Sequence, residues 1–457
     1  MNRSTKRSYV LYALILAFLA GVGVMIFNFI VHGDEWVSSK ANKHVYNGGA
    51  LTCGGTIFDR DGVYLAKTEK GKRVFNNSST LRKATLHIVG DTQGYIPTGT
   101  HTVYSEQLSG YSIVDGVYKL KEYGKGNDIY LTVSAKACRA AYEALEGFNG
   151  AVGVYNYKTG EVLCDVSKPT YDIENKPSDL LKNEEKYKGV FINRFFSGLY
   201  VPGSVFKVVT AACAIENIPD IYTRKFECKG KTSFAGGTVI CNGVHGKISF
   251  KEALNKSCNC AFSQIAVELG AEKLTATANA FGFNQSLKAT KINVGKSRFN
   301  ITGSQDYEIG WAGIGQYTTL VSPCQVVMFM GAIANGGAAA EPQTVKKIVS
   351  PTGLTVSGLR QKNSTISIDP STADKLKTLL RSNVKDSYGD NRFPGLEMCG
   401  KTGTAEVDDG KPHSWFAGFS MREDFPYAVV VIAENAGSGY GVAMSTANKV
   451  MQTILKG

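Results

Sequence analysis

Histidine is scarce in this chain, with six among 457 residues, and none is spaced to join a serine and a carboxylate. His245 and His413 therefore read as structural residues, and a Ser-His-Asp triad is not the expected source of a nucleophile. Ten cysteines are present, yet no Cys-x-x-Cys pair occurs and no zinc spacing is recognisable. No cysteine has a histidine beside it in sequence, which argues against thiol catalysis. No metal or organic cofactor is implied. Nothing resembles a nucleic-acid module, so the excess of 51 basic over 39 acidic residues, a net charge of +12, reads as solubility or as attraction to anionic surfaces.

Charge is absent altogether between Tyr9 and Val31. That run is long enough to cross a bilayer as a helix. Arg3, Lys6 and Arg7 precede it, which predicts a cytoplasmic N-terminus (residues 1–8), a membrane anchor (9–31) and an extracytoplasmic remainder. A cleaved signal peptide is the alternative, opposed by the length of the run and by the lack of a small-x-small cleavage site after it. Exported chains favour paired thiols. Cys228 and Cys241, which bracket a glycine-rich hairpin-like stretch, are the candidate disulfide.

What is present begins with Val201-Pro202-Gly203-Ser204-Val205-Phe206-Lys207. Residues three apart on a helix share a face, so the Lys207 amine is expected within reach of the Ser204 hydroxyl. The apolar run Val208 to Ile215 predicts burial of this helix, which lowers a lysine pKa toward that of a useful base. The similar Ser382-Asn383-Val384-Lys385 is assigned to a solvated helix face. Further on stand Ser257-Cys258-Asn259, the one Ser-x-Asn in the chain, and Lys401-Thr402-Gly403-Thr404, which opens a strand-like segment. A capping box formed by Ser249 and Glu252, followed by helical spacing of Phe262, Ile265, Ala266 and Leu269, places Ser257 and Asn259 at a junction between two helices. Strands are expected over Lys401 to Glu406, Ser414 to Ser420 and Tyr427 to Ala433. A helix bearing Ala447, Val450, Met451 and Ile454 should pack on their sheet.

Ser-x-x-Lys, Ser-x-Asn and Lys-Thr-Gly in this order resemble the active-site set of the penicillin-recognising serine acyltransferases, and the chain resembles a class B penicillin-binding protein in particular. The likeness includes Gly55-Thr56-Ile57-Phe58-Asp59-Arg60-Asp61-Gly62, with Cys53-Gly54 where arginine is commoner. It also includes Asp128 to Val133, the hairpin around Lys158-Thr159-Gly160, Ile314-Gly315-Gln316, Ser322-Pro323 and Ala332 to Gly337. The resemblance implies an α+β transpeptidase domain with an antiparallel sheet flanked by helices (126–457), preceded by a β-rich pedestal (32–125).

By the same resemblance, Ser204 attacks the carbonyl of the penultimate residue in a peptidoglycan stem peptide ending in D-Ala-D-Ala. Lys207 takes its proton. Ser257 relays a proton to the leaving nitrogen, and Lys401 lowers the Lys207 pKa by like-charge repulsion. Asn259 holds the donor's side amide, Thr402 and Thr404 hold its carboxylate, and Gly403 lets substrate lie against the strand. The Ser204 and Thr404 N–H groups form the oxyanion hole. β-Lactam antibiotics are the implied covalent inhibitors. No glycosyltransferase-like region is visible, so a SEDS-type glycosyltransferase in the membrane is the implied partner. A serine β-lactamase, a D,D-carboxypeptidase, and a non-enzymatic β-lactam sensor or wall-assembly scaffold remain open.

Overall fold

The computed structural model describes residues 3–37, 39, 41–43, 45–47, 50, 51, 54–111, 125–407 and 410–457. Helix α1, Arg3–Val37, contains one stretch, Arg7–Gly33, that is long and apolar enough to cross a membrane, with mean hydropathy 2.6 and none of its most apolar window buried against the rest of the chain. Cys53 lies outside the described residues.

A five-stranded antiparallel sheet organises the larger part of the molecule. Its strands are β1 (Gly150–Asn156), β2 (Val162–Lys168), β3 (Met398–Ala405), β4 (His413–Ser420) and β5 (Tyr427–Ala433), in the order β3-β4-β5-β1-β2. The expected hairpin is β1 and β2, and the Asn156 carboxamide oxygen fixes its turn by accepting from the Lys158 and Thr159 N–H groups. Every residue of β1 is buried, as in a sheet covered on both faces. Helix α5 (Pro323–Ala334) crosses β5, β4 and β1, while the C-terminal helix α6 (Val442–Leu455) packs on β5 and β4 and against α2 (Ala135–Ala144), which lies on β2. Ala447, Val450 and Met451 are the buried face of α6. Between β2 and β3 the chain builds a helical lobe whose core is α3 (Lys207–Asn217) against α4 (Asn259–Ala280), the latter interrupted at Gly270.

A second, six-stranded sheet contains Ile57–Phe58, Tyr64–Glu69 and Lys72–Phe75 together with Asp128–Leu131, Val345–Val349 and Thr355–Gly358. It therefore draws strands from both sides of residue 125. Between Ser79 and Ser109 the N-terminal part is helical rather than stranded. Asp59 explains the Gly-Thr-Ile-Phe-Asp-Arg-Asp-Gly signature physically. It is 1 % exposed, and one carboxylate oxygen closes the turn by accepting from Asp61 and Val63 N–H. The other accepts from Ala135 N–H at the start of α2. Asp59→Ala would leave three backbone donors without acceptors at this seam. An on-the-order-of 3 kcal/mol loss of stability is expected, read as a fall in Tm of the detergent-solubilised chain; an unchanged Tm would mean that strand pairing alone fixes the seam.

Candidate active site

Ser204 lies in a short 3-10 turn, Gly203–Val205, that runs directly into α3. In such a turn residues i and i+3 eclipse, which brings Lys207 Nζ to 3.2 Å from Ser204 Oγ. Gly203 has φ +52°, and a Cβ there would collide with the Thr404 carbonyl on β3. Glycine at this position thus sets how closely the nucleophile's turn approaches the strand.

Lys207 is fully buried. Its Nζ lies 2.6 Å from the Ser257 carbonyl oxygen, 2.7 Å from Asn259 Oδ1 and 3.2 Å from Ser257 Oγ. Burial pushes its pKa down to about 7, and the neighbouring Lys401 ammonium pushes in the same direction. A neutral amine has two N–H groups and one lone pair. With the N–H groups given to the two shortest acceptors, the lone pair is left to receive the Ser204 proton. Ser257 adopts φ +51°, a left-handed conformation that costs a non-glycine residue on the order of 1 kcal/mol. The same residue's carbonyl is the shortest partner of Lys207.

Lys401 is also fully buried, and burial lowers its pKa to about 7. Its Nζ lies 3.0 Å from Ser257 Oγ and donates to the Thr402 carbonyl at 3.0 Å. Ser257 Oγ thus stands between two amines, one on α3 and one on β3. The Lys401 ammonium disfavours protonation of Lys207, the condition under which two groups titrate together.

The cleft in front of these groups has a volume of about 370 Å³, and Ser204, Ser257, Asn259, Thr402 and Thr404 all line it. Lys207, Lys401 and Gly403 stand behind that surface. All eight residues singled out in the sequence converge here. Gly403 plays a different part from the one expected. Its missing Cβ points at Pro202 O, Trp415 Cβ and Val205 Cγ2, each 3.0 Å from where the atom would be, so the space it leaves admits the Ser204 turn. Strand β3 is nonetheless an edge strand and can accept an extended peptide alongside.

Several contributors were not visible in the sequence. Asn242, Trp311, Gln316, Glu406, Ser438 and Tyr440 complete the cleft wall. Beneath β3, the buried Tyr388 hydroxyl accepts from Thr402 N–H at 3.0 Å and lies 3.0 Å from Thr402 Oγ1. Asn383 Nδ2 donates to Tyr388 Oη and to the Gly400 carbonyl. Asn383 belongs to the Ser382 to Lys385 segment assigned to a solvated helix. Lys385 is exposed and Ser382 Oγ donates to Asp386, but Asn383 is fully buried and braces the strand. Helix Phe250–Asn255 carries the expected Ser249/Glu252 capping box. His413 has a structural role, its Nδ1 accepting from Asn435 N–H. The nine described cysteines are free thiols, so the expected Cys228–Cys241 disulfide is not formed.

A cleft-lining serine beside a buried lysine, a second lysine across a shared hydroxyl, and an edge strand in front are the arrangement of a serine acyl-transferring enzyme with an amine placed to act as base. Residues 150–455 match the family described as penicillin binding protein transpeptidase domain. The chain belongs to that family. It is 27 % identical to the peptidoglycan D,D-transpeptidase PbpA of Mycolicibacterium smegmatis over 423 residues, 85 % of this chain and 84 % of that protein. Stage V sporulation protein D of Bacillus subtilis is 29 % identical over 425 residues, 82 % of this chain and 62 % of that one. Among solved structures, the D,D-transpeptidase domain of a peptidoglycan glycosyltransferase from Eggerthella lenta superposes with TM-score 0.75 at 28 % identity, over 88 % of this chain and 98 % of that one. The ceftriaxone acyl-enzyme of penicillin-binding protein A from M. tuberculosis gives TM-score 0.78 at 23 % identity, over the same shares, and bears on the fold.

If Lys207 takes the Ser204 proton it must be neutral, and with its pKa lowered from 10.5 to about 7 the acylation rate with a β-lactam should fall as pH drops below about 7 and level off above it. Lys207→Arg keeps the charge and supplies no base near neutrality. Its acylation rate should be lower by on the order of a hundredfold or more. A flat pH profile together with a near-normal arginine variant would place the base elsewhere.

Proposed function

We propose that this chain is a peptidoglycan D,D-transpeptidase that cross-links stem peptides through an ester on Ser204. The observation that carries the reading is the contact series Ser204 Oγ, Lys207 Nζ, Ser257 Oγ, Lys401 Nζ, with successive separations of 3.2, 3.2 and 3.0 Å. The names of the relatives support the choice of donor.

Ser204 Oγ attacks the carbonyl of the penultimate D-alanine while its proton passes to Lys207. The tetrahedral oxyanion is held by the N–H groups of Ser204 and Thr404, on the two sides of the cleft. As the intermediate collapses, the C–N bond breaks and the departing D-alanine takes a proton from the Ser257 hydroxyl, which is replenished from the Lys207 and Lys401 pair. The amine of a second stem peptide then attacks the ester, gives up its proton through the same groups and frees Ser204. Asn259 holds the donor's side amide, and Thr402 and Thr404 hold its terminal carboxylate.

A β-lactam follows the first half of this course, but its leaving nitrogen stays tethered after ring opening. The acceptor's approach is then blocked. Glu252, which superficially resembles a deacylating glutamate, is committed to the capping box, where its carboxylate accepts from Ser249 N–H and Oγ. This favours a long-lived adduct over β-lactam turnover.

Residues 9–31 serve in this reading as a single-pass anchor in a bacterial cell membrane, with the N-terminus cytoplasmic and the remainder outside. The pedestal (32–125) and transpeptidase domain (126–457) then meet lipid-linked substrate at the membrane surface. A SEDS-type glycosyltransferase is the partner that polymerises the glycan.

Intact mass spectrometry should detect one β-lactam adduct per chain, on the peptide containing Ser204, persisting for minutes or longer, and none on Ser204→Ala. Given a D-Ala-D-Ala or thioester donor with a D-amino acid acceptor, the enzyme should form the aminolysis product. Free acid alone would make it a carboxypeptidase, rapid turnover of the drug a β-lactamase, and no adduct at all a scaffold.

A further inference from the structure

Beside the catalytic cleft, Cys228, Cys241, His245 and Cys258 bring one ligand atom each to within 4.8 Å of one another. Three pieces of chain supply them. Cys228 ends strand Lys225–Cys228, which pairs with Gly246–Ser249 so that Cys228 faces Gly246. Cys241 and His245 stand on the loop before that second strand, and Cys258 caps the N-terminus of α4.

We propose that these four side chains bind one zinc ion, which holds the Ser257-Cys258-Asn259 junction in its catalytic position. A tetrahedral zinc with Zn–S of about 2.3 Å and Zn–N of about 2.0 Å requires S···S edges of about 3.8 Å and S···N edges of about 3.5 Å. The structure has Cys241 Sγ 3.9 Å from Cys258 Sγ, and His245 Nδ1 3.5 Å from Cys228 Sγ and 3.6 Å from Cys241 Sγ. Three of the six edges therefore match one coordination tetrahedron, and the remaining three are within 4.8 Å. A disulfide would join two of the sulfurs and leave the third sulfur and the aimed imidazole unexplained.

The donor set is that of a soft, four-coordinate cation. Three thiols give up their protons on binding and the imidazole coordinates neutral through Nδ1. With all four positions taken by protein, the metal is structural and meets no substrate. Backbone N–H groups already point at two of the sulfurs, from Asn259 to Cys241 Sγ at 3.3 Å and from Ala261 to Cys258 Sγ at 3.4 Å. Such donors stabilise thiolate ligands.

The link to catalysis runs through Asn259. Its N–H reaches Cys241, its Nδ2 donates to the Ile240 carbonyl, and its Oδ1 lies 2.7 Å from Lys207 Nζ. Asn242, next to Cys241, is part of the cleft wall, and Ser257, held between the two lysines, precedes a ligand directly. Cys228, Cys241 and His245 are positioning residues in this arrangement. In an oxidising compartment, bound zinc also keeps closely spaced thiols from pairing.

The full chain, purified in detergent with reductant and without chelator, should contain one zinc per chain by inductively coupled plasma mass spectrometry. Cys228→Ser and His245→Ala should reduce that content to near zero. Cobalt(II) exchanged into the wild type should show thiolate charge-transfer absorption and the intense visible bands of tetrahedral coordination, a readout independent of how well the variants fold and of any transpeptidase activity. Chelation should slow β-lactam acylation of Ser204 on the order of tenfold, with zinc restoring the rate. Absence of metal, octahedral cobalt spectra, or a Cys228–Cys241 or Cys241–Cys258 disulfide in thiol-blocked protein from membranes would overturn the site. Full zinc occupancy with acylation indifferent to chelation would overturn its positioning role.

Discussion

Two lysine amines are buried around one serine hydroxyl, and much of the catalytic architecture follows from that constraint. Neither Lys207 nor Lys401 has any exposed surface, and an isolated ammonium cannot be held inside a protein without partners or a lowered pKa. Both remedies are present. The Ser257 and Thr402 carbonyls and Asn259 Oδ1 face the amines, and burial lowers both pKa values to about 7, with the Lys401 ammonium adding to the effect on Lys207. What destabilises the charged cluster is also what would suit it to act as a base near neutral pH.

Meeting that constraint requires three chain segments far apart in sequence to be placed to within a few tenths of an ångström. The Ser204 turn can approach β3 because Gly203 and Gly403 leave no Cβ between them. Strand β3 is fixed from below by Tyr388 and Asn383. The Ser257 carbonyl is turned toward Lys207 by a left-handed residue followed at once by a helix cap. The proposed zinc site lies under this last element, where a small rotation of the junction would move Ser257 Oγ and Asn259 Oδ1 together.

The serine–lysine pair was legible because it is local, three residues apart at the entrance to an apolar helix. The junction carrying Ser257 and Asn259 was legible from its capping box, and the strands of the main sheet from their apolar and aromatic runs. Contributions that depend on tertiary contact were not. Asn383 lies in a segment that ends on the exposed Lys385, yet its side chain and that of Val384 turn inward. The interval from Cys228 to Cys241 looked like a disulfide-bracketed hairpin, since a sequence cannot show that His245 and Cys258 meet the same two thiols. Gly403 was assigned to substrate access, whereas its open side faces the Ser204 turn. The signature at Asp59 was recognisable as a pattern, but its use of one buried carboxylate to tie a turn to α2 required the fold.

The central claim is that Lys207 and Lys401 share a lowered, coupled titration through Ser257. NMR of the enzyme carrying isotopically labelled lysine side chains, titrated with pH and assigned with the uncharged variants Lys207→Met and Lys401→Met, tests it directly. Two lysine signals should shift near pH 7, and removing either amine should raise the pKa of the other. If both signals stay those of fully charged ammonium groups up to about pH 9, or if each titrates without regard to the other, the shared-proton account is wrong.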